Sequence, residues 1–569
     1  MIMLKGIGAS EGYGIGRVVR IEEVDLSYEE KKVEDIESEI KRFQEAVDIF
    51  SDRTMSMAEE MRTRIGEKEA EILEGHVMMI QDPSMSDEVI GMIKEGICAE
   101  RAFQNVCDMF VQIFSATEDE LTSQRITDIH DIEERLLKIL LGKQEVDISK
   151  VPANTILAAK DLTPSMTVGI KKENVIGIIT EVGGKTSHSA ILARALEVPA
   201  VLSVKDAMSF VKEGQEAVVD GKEGIVILEP DDKEKETYSA KRKAYLEEKE
   251  ALKQLIGKPT VTEDGVKVEL VCNIGKPEDA DTVVERDGEG VGLFRTEFLF
   301  MDRTNVPTEE EQFEAYKKAA ATLNGKPVII RTLDVGGDKE IPYLELDKED
   351  NPFLGFRAIR VCLERRDLYR IQLRALLRAS AFGDIKIMVP MITCVDELRE
   401  VKAMIAEIKK ELSAEGIAYN DAIQVGVMIE TPAASLIADI LAKEADFFSI
   451  GTNDLTQYTM VVDRGNAKVA YLYSTYNPAV LRSIKHVIAC GREQNIMVGM
   501  CGEAAADPLL IPLLLAYGLQ EFSVSAASVL ATRNTISKWT IEEAKGLEAK
   551  AALLGTEKEI VELLKKNCK

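Results

Sequence analysis

The residues of this chain best suited to chemistry begin in one stretch, Glu181 to Ala200, EVGGKTSHSAILARALEVPA. It holds two candidates of different kinds: GGKTS, which ends like a phosphate-cradling loop, and His188, which directly precedes an apolar run. A P-loop requires G-x-x-x-x-G-K-[ST], so that backbone N–H groups surround the phosphates and the lysine reaches their outer oxygens. Counting back from Gly184, the first glycine falls where the chain has Ile179, and Gly177 is out of step. The register therefore excludes a P-loop. The opening GIGASEGYG fails as a dinucleotide fingerprint, because a motif starting at Gly6 needs glycine where Glu11 stands. His188 is left at the predicted N-terminus of a helix whose apolar residues Ile191, Leu192 and Leu196 recur at helical spacing. A helix N-terminus has unpaired N–H donors and the positive end of the dipole, which favour a phosphate. His188 is either a phosphate-carrying or catalytic group or a turn and capping residue, and the stretch alone leaves both open.

A second set of reactive types lies far downstream, just after short apolar runs. Arg295 follows one, Arg331 another with Asp334 and Lys339 beyond it, and Glu430, the pair Asn453 and Asp454, and Cys501 follow three more. Arg357 and Arg464 stand in adjoining segments. Arginine grips carboxylate and phosphate oxygens in pairs and keeps its charge. Two carboxylates, Glu430 and Asp454, suit Mg²⁺, which takes one or two protein oxygens and completes its shell with water and substrate phosphate. The same carboxylates could instead form a structural ion pair with the arginines. Cys501 is read either as a small core residue or, at a strand end and less buried, as a proton donor or acceptor. Together these residues describe a pocket for a small phosphorylated acid.

Such residues need elements to hold them. From about Leu26 to Leu141, Ile36, Ile40, Phe43, Val47 and Phe50, and then Ile129, Ile132, Leu136 and Leu140, repeat at helical steps. This predicts a helical bundle at 23–145, inserted into an α/β domain of residues 1–22 and 146–230 that contains His188. Residues 231–257, rich in charge with a thin apolar stripe, predict a connecting helix that bridges through solvent and lets the His188 domain move. From 258 to 569, strand-like and helix-like runs alternate as in parallel βα units. The strand candidates VKVELVCNI, GVGLFRTE, PVIIRTLD, IKIMVPMI, IQVGVMIE, FFSIGTND, IMVGMCGE and EFSVSAAS number eight, the count of a (β/α)8 barrel. Barrel enzymes place their chemistry at the C-terminal strand ends, where the second set falls.

Bulk properties narrow the partners. With 71 basic and 99 acidic residues the net charge is −28, a poor match for nucleic acid or an anionic membrane surface. The eight cysteines contain no C-x-x-C pair and the four histidines are scattered, so the chain reads as a cytoplasmic protein with reduced thiols and no zinc site. No apolar run is long enough to span a membrane.

These motifs, taken together, resemble Enzyme I of the bacterial sugar phosphotransferase system, the phosphoenolpyruvate-protein phosphotransferase family. The resemblance rests on GGKTSHSAILARALEVPAV, LFRTEFLFM, IIRTLDVGGDK, NPFLGFRAIR, MIETPAA, GTNDLTQYTMVVDRGN and MCGEAA, with KGIGASEGYGIG and DLTPSMT, in the family's order along essentially the whole chain. It implies that His188 accepts the phosphoryl group of phosphoenolpyruvate and that Thr167 hydrogen-bonds it. It implies further that Arg295, Arg331, Asn453 and Arg464 hold the substrate, with Arg357 and Lys339 as further charged residues of the pocket. Glu430 and Asp454 match the Mg²⁺ ligands, and Cys501 matches the proton donor. The helical insertion, with His76 in a matching helix, is expected to dock the carrier protein HPr, aided by Glu67, Glu69, Glu71 and Glu74; the barrel is expected to dimerise. Phosphoenolpyruvate synthase and pyruvate phosphate dikinase share the phosphohistidine domain and barrel but add a large ATP-binding domain, for which the segment before the His188 domain is too short. A phosphoenolpyruvate-sensing regulator is the rival of another class, and the full set His188, Glu430, Asp454 and Cys501 argues against it.

Overall fold

The structure, a computed structural model, describes residues 2–21, 26–30, 32–64, 67–115, 120–143, 148–162, 166, 170–184, 187–301, 303–336, 341–466 and 468–569. It divides into two compact units, Met1–Lys249 and Glu250–Lys569.

In the first unit the β-branched runs at both ends of the segment form one sheet. Its strands are β1 (Ile2–Lys5), β2 (Ile7–Ser10), β3 (Tyr13–Arg20), β4 (Thr155–Ala159), β5 (Val175–Thr180), β6 (Ala200–Leu202), β7 (Glu216–Asp220) and β8 (Ile225–Leu228). Their order is β1-β8-β7-β3-β4-β5-β6-β2. The central run β3, β4, β5, β6 is parallel, and the flanking pairs are antiparallel. Between β3 and β4 come helices α1 (Ile36–Arg64), α2 (Glu67–Gln81), α3 (Pro83–Lys94), α4 (Ala99–Ser115) and α5 (Glu120–Leu140). Phe43, Phe50, Phe103, Ile129, Ile132 and Leu136 meet in their core, as the helical spacing predicts. Ile36, at the start of α1, is exposed instead.

After α6 (His188–Ala195) the charged segment forms α7 (Asp232–Lys253). Most of its residues are exposed, but one stripe of it meets the sheet. Tyr238 and Tyr245, two helical turns apart, bring their rings to 6.1 and 6.0 Å from that of Tyr13 on β3. Lys235 pairs with Glu216 at 2.7 Å, Lys241 stands 4.3 Å over the Tyr238 ring, and Lys249 pairs with Glu197 at 2.9 Å. The thin apolar stripe is tyrosine, and lysines beside it find Glu216 on β7 and Glu197 in the turn after α6; this is why so polar a helix docks through residue 249.

The second unit is a closed barrel of β9 (Glu269–Ile274), β10 (Val291–Arg295), β11 (Val328–Arg331), β12 (Ile385–Val389), β13 (Val425–Ile429), β14 (Phe447–Ile450), β15 (Met497–Met500) and β16 (Glu521–Val524). Neighbouring strands are parallel all round, and the eight strand candidates supply the eight strands. The two-residue period of a strand explains the placement of the site. Leu293, Ile329 and Met428 fill the barrel interior together with Met388, Phe447 and Cys501. Two residues on from the first three stand Arg295, Arg331 and Glu430, on the same inward face at the C-terminal rim. The alternate residues, such as Phe294, Ile330 and Ile429, pack outward into the core shared with the helices.

The opposite end of the barrel interior holds a buried carboxyl, Glu521, 1% exposed, whose Oε1 has no hydrogen-bond partner among the described residues. Burial and Glu269, opposed by Lys386, push its pKa up to about 8. Between the unfolded value of about 4.3 and the folded one, the folded chain binds the extra proton, so stability falls as pH rises across that window. Glu521→Gln keeps the neutral form at every pH. It is expected to match the parent near pH 5 and to exceed it by about 2–4 kcal/mol near pH 8, read from denaturant melts at the two pH values; a gap that does not grow with pH would contradict this.

Candidate active site

At the C-terminal ends of the barrel strands lies a cavity of about 530 Å³. Arg295, Arg331, Arg357, Glu430, Asn453, Asp454, Arg464 and Cys501 all line it, although they come from six separate stretches of chain. Lys339 and Thr167 lie outside the described residues. His188 belongs to the first unit, where its backbone opens α6; its side chain lies outside the description.

The arginines fall into two kinds. Arg331 donates from Nη2 to Glu297 Oε1 at 2.6 Å and pairs through Nη1 with Asp334 Oδ2 at 2.8 Å. Arg357 donates from Nε and Nη2 to the two oxygens of Asp334 at 2.8 and 3.0 Å, from Nη2 to Asp454 Oδ2 at 3.1 Å, and from Nη1 to the Tyr458 hydroxyl at 3.1 Å. Burial works against the charge of both, but the surrounding carboxylates hold their pKa above the ordinary arginine value. Arg295 and Arg464 have no carboxylate partner among the described residues, so they are the guanidinium groups most open to an incoming anion. Asn453 is oriented by its neighbours: its Oδ1 accepts from Glu503 N at 3.3 Å and its carbonyl accepts from the Tyr473 hydroxyl at 3.2 Å. The Nδ2 donors are the atoms it has left for a ligand.

The carboxylates Glu430 and Asp454 are both buried. Glu430 accepts from Met391 N at 2.7 Å, and its pKa is raised by burial and by the charges of Asp454 and Asp334, against the opposing pull of Arg331 and Arg357. Asp454 Oδ1 is buried without a hydrogen-bond partner. Of the two sequence readings, the ion pair is thus present on one oxygen of Asp454 only. The other oxygen of Asp454 and the neighbouring carboxyl of Glu430 remain as oxygen donors, a set that fits Mg²⁺ completed by water and phosphate. No group of three or more His, Cys, Asp or Glu placed to hold a metal ion occurs among the described residues.

Cys501 is 4% exposed, which corrects the expectation that its strand-end position leaves it less buried. The C-terminal end of a barrel strand can still face inward onto packed side chains, and here Met428 and Phe447 belong to the same interior cluster. Burial pushes the thiol up to about 11, so it stays protonated near neutral pH and can act as a donor.

The sequence reading missed the groups that hold this site together. Glu297 stands two residues after Arg295 in the LFRTEF motif, and Tyr458 four residues after Asp454, but neither type announces a buried partner. Two strained positions were equally hidden: Ala358, next to Arg357, has φ 54°, and Met391, whose N–H serves Glu430, has φ 56°. For residues other than glycine each costs about 1–3 kcal/mol, and such strain concentrates at functional sites.

In the first unit, Ser187 caps α6, accepting from Ala190 N at 3.3 Å, while its own hydroxyl donates to Gly184 O at 2.9 Å. Gly183 has φ 105°, which requires glycine; Gly184 faces open space, so no close approach is needed there. Leu192 and Leu196 are buried with Ala190 and Ala193, whereas Ile191 is exposed. Ser189 donates to Asp161 Oδ1 at 3.1 Å, tying the first turn of α6 to residues 161–162. His76 is 1% exposed, with Nε2 3.3 Å from Asp128 and Nδ1 3.5 Å from Asp131, which makes it a buried link between α2 and α5. Of the four acidic residues on α2, Glu74 is engaged by Arg62, and Glu71 is exposed; the side chains of Glu67 and Glu69 lie outside the description.

A barrel whose C-terminal mouth gathers arginines, a carboxylate pair and a protonated thiol has the equipment of an enzyme acting on a small phosphorylated acid. Residues 5–125 match the family described as PEP-utilising enzyme, N-terminal; residues 151–224 match PEP-utilising enzyme, mobile domain; and residues 249–541 match PEP-utilising enzyme, PEP-binding domain. The phosphoenolpyruvate-protein phosphotransferase of Bacillus subtilis (strain 168) is 46% identical over 567 residues, covering 100% of both chains. Those of Bacillus sp. (strain S) and Geobacillus stearothermophilus are each 46% identical over 564 residues, covering 99% of this chain and 98% of theirs. The chain belongs to the phosphoenolpyruvate-protein phosphotransferase family of PEP-utilising enzymes. No helix among the described residues is long and apolar enough to cross a membrane.

Proposed function

We propose that this protein takes the phosphoryl group of phosphoenolpyruvate onto His188, releases pyruvate, and passes the phosphoryl group to a histidine of the carrier protein HPr, the first step of sugar uptake by group translocation. The observation that carries this reading is the convergence of four guanidinium groups, the Glu430–Asp454 pair and the Cys501 thiol on one cavity.

The roles follow from the chemistry of each group. Arg295 and Arg464, with no carboxylate partner among the described residues, take the substrate's phosphate and carboxylate oxygens, with Asn453 Nδ2 as a further donor. Arg331 and Arg357, held by carboxylates, present fixed positive charge to the phosphate oxygens from binding through transfer. Glu430 and Asp454 would hold Mg²⁺, which supplies neutralising charge to the phosphate oxygens when bound. A neutral ring nitrogen of His188 forms the new bond to phosphorus as the bond from phosphorus to the enolate oxygen breaks. The enolate left behind takes a proton at carbon from the Cys501 thiol, giving pyruvate, and the thiolate regains its proton from water. Thr167 supports the acceptor histidine and Lys339 adds charge to the pocket.

In this reading residues 1–22 and 146–230 are the phosphohistidine domain, 23–145 the HPr-binding insertion, 231–257 the connecting helix, and 258–569 the substrate-binding barrel, through which the chain forms a homodimer in the cytoplasm. The contacts of α7 with β3 and β7 support counting most of the connecting helix with the His188 domain, so that a swing of that domain would carry α7 with it. The test is incubation with phosphate-labelled phosphoenolpyruvate and Mg²⁺ without ATP, followed by HPr. Acid-labile label that moves to HPr supports the assignment; label from ATP alone returns the dikinase reading, and no label from either returns a sensor.

A further inference from the structure

Asp334 belongs to neither the substrate contacts nor the metal ligands proposed above, and yet it is 2% exposed in the wall of the cavity. Its carboxylate touches two guanidinium groups at once. Oδ1 and Oδ2 accept from Nε and Nη2 of Arg357 at 2.8 and 3.0 Å, the parallel fork geometry, and Oδ2 lies 2.8 Å from Nη1 of Arg331. The two arginines come from different parts of the chain: Arg331 ends β11, and Arg357 precedes the helix Ile359–Glu364.

A second observation separates this arrangement from an ordinary buried ion pair. The residue after Asp334, Val335, accepts through its carbonyl from Ala358 N at 2.9 Å, and Ala358 is the buried residue with φ 54° and ψ −122°. Two successive residues, 334 and 335, thus hold two successive residues, 357 and 358, one by its side chain and the other by its backbone. The strained peptide at Ala358 persists because this double grip overdetermines it. What is held so firmly is the head of Arg357, with Asp454 on its other side at 3.1 Å.

We propose that Asp334 is a positioning residue for the reaction: it locks Arg331 and Arg357 into one rigid cationic pair before phosphoenolpyruvate arrives. The proposal rests on the phosphotransferase reading. Without Asp334 both guanidinium groups keep their charge but lose their common reference, and each must be ordered by the substrate itself. Binding energy is then spent on ordering in the ground state and the transition state alike, so the loss falls on KM.

The experiment compares initial rates of pyruvate release by the full chain with Mg²⁺, excess HPr to take the phosphoryl group from His188, and varied phosphoenolpyruvate, for the parent, Asp334→Asn and Asp334→Glu. The Asn amide presents N–H groups to guanidinium N–H groups, and the Glu carboxylate is displaced by one methylene. Both are expected to raise KM by roughly 30-fold with kcat changed less than about threefold. A variant purely weakened in folding would lose active fraction, lowering kcat at the parent's KM. That result, or parental values of both constants in either folded variant, overturns the proposal. If Asp334→Asn does not fold, Asp334→Glu, which retains the charge, carries the same test. An inactive parent would instead defeat the phosphotransferase reading itself, which keeps the two failures distinct.

Discussion

Labelling by phosphoenolpyruvate is lost in His188→Ala, falling by at least about 10⁴-fold in rate, because alanine offers no atom to receive the phosphoryl group and no other histidine is placed to replace it. His76 is enclosed between Asp128 and Asp131, and His130 is paired with Glu133, whose hydrogen bond raises its pKa and favours the non-nucleophilic cation. His486 sits beside the Cys490 thiol on the helix Pro478–Glu493. Folding is expected to survive the change. The Ser187 cap and the buried Leu192 and Ala193 of α6 are untouched, so thermal stability stays within about 0.5 kcal/mol of the parent, as a melt would show. Retention of acid-labile label in the folded variant would move the acceptor to another residue.

The second large effect is expected at Cys501. Removing a general acid costs about 10²–10⁴-fold, and Cys501→Ala should lower pyruvate formation by that factor while changing the KM for phosphoenolpyruvate little, since the thiol is not a charged contact. The buried thiol has a pKa of about 11, so a proton is present throughout the neutral range and the deficit in the alanine variant is not recovered by lowering the pH from 8 to 6. Steady-state rates at the two pH values check this. An activity within threefold of the parent would reassign Cys501 to the packing it shares with Met428 and Phe447.

How far the sequence led is best seen residue by residue. The barrel was legible because each strand is a short apolar run closed by polar residues, and strand periodicity carries Leu293 to Arg295, Ile329 to Arg331 and Met428 to Glu430 on one inward face. The helix α6 was legible from His188 at its start and the apolar Leu192 and Leu196 behind it. The supports of the site were not. Asp334 and Glu297 are acidic residues near arginines, a pattern usually found on solvated surfaces, and only the closure of the barrel turns them into buried partners. Ala358 and Met391 adopt positive φ with side chains that give no sign of it. The partner of Tyr238 and Tyr245 of α7, Tyr13, lies more than two hundred residues earlier in the chain, beyond the reach of any local pattern.

Phosphoenolpyruvate, and no nucleotide, is expected to place a phosphoryl group on His188. The direct measurement is tandem mass spectrometry at alkaline pH of the full chain after brief reaction with phosphoenolpyruvate and Mg²⁺, with a parallel sample given ATP in its place. The expected result is one modified residue, His188, in the phosphoenolpyruvate sample alone, with the modification removed by mild acid or by HPr. A phosphoryl group on any other residue, or on His188 only in the ATP sample, would contradict it.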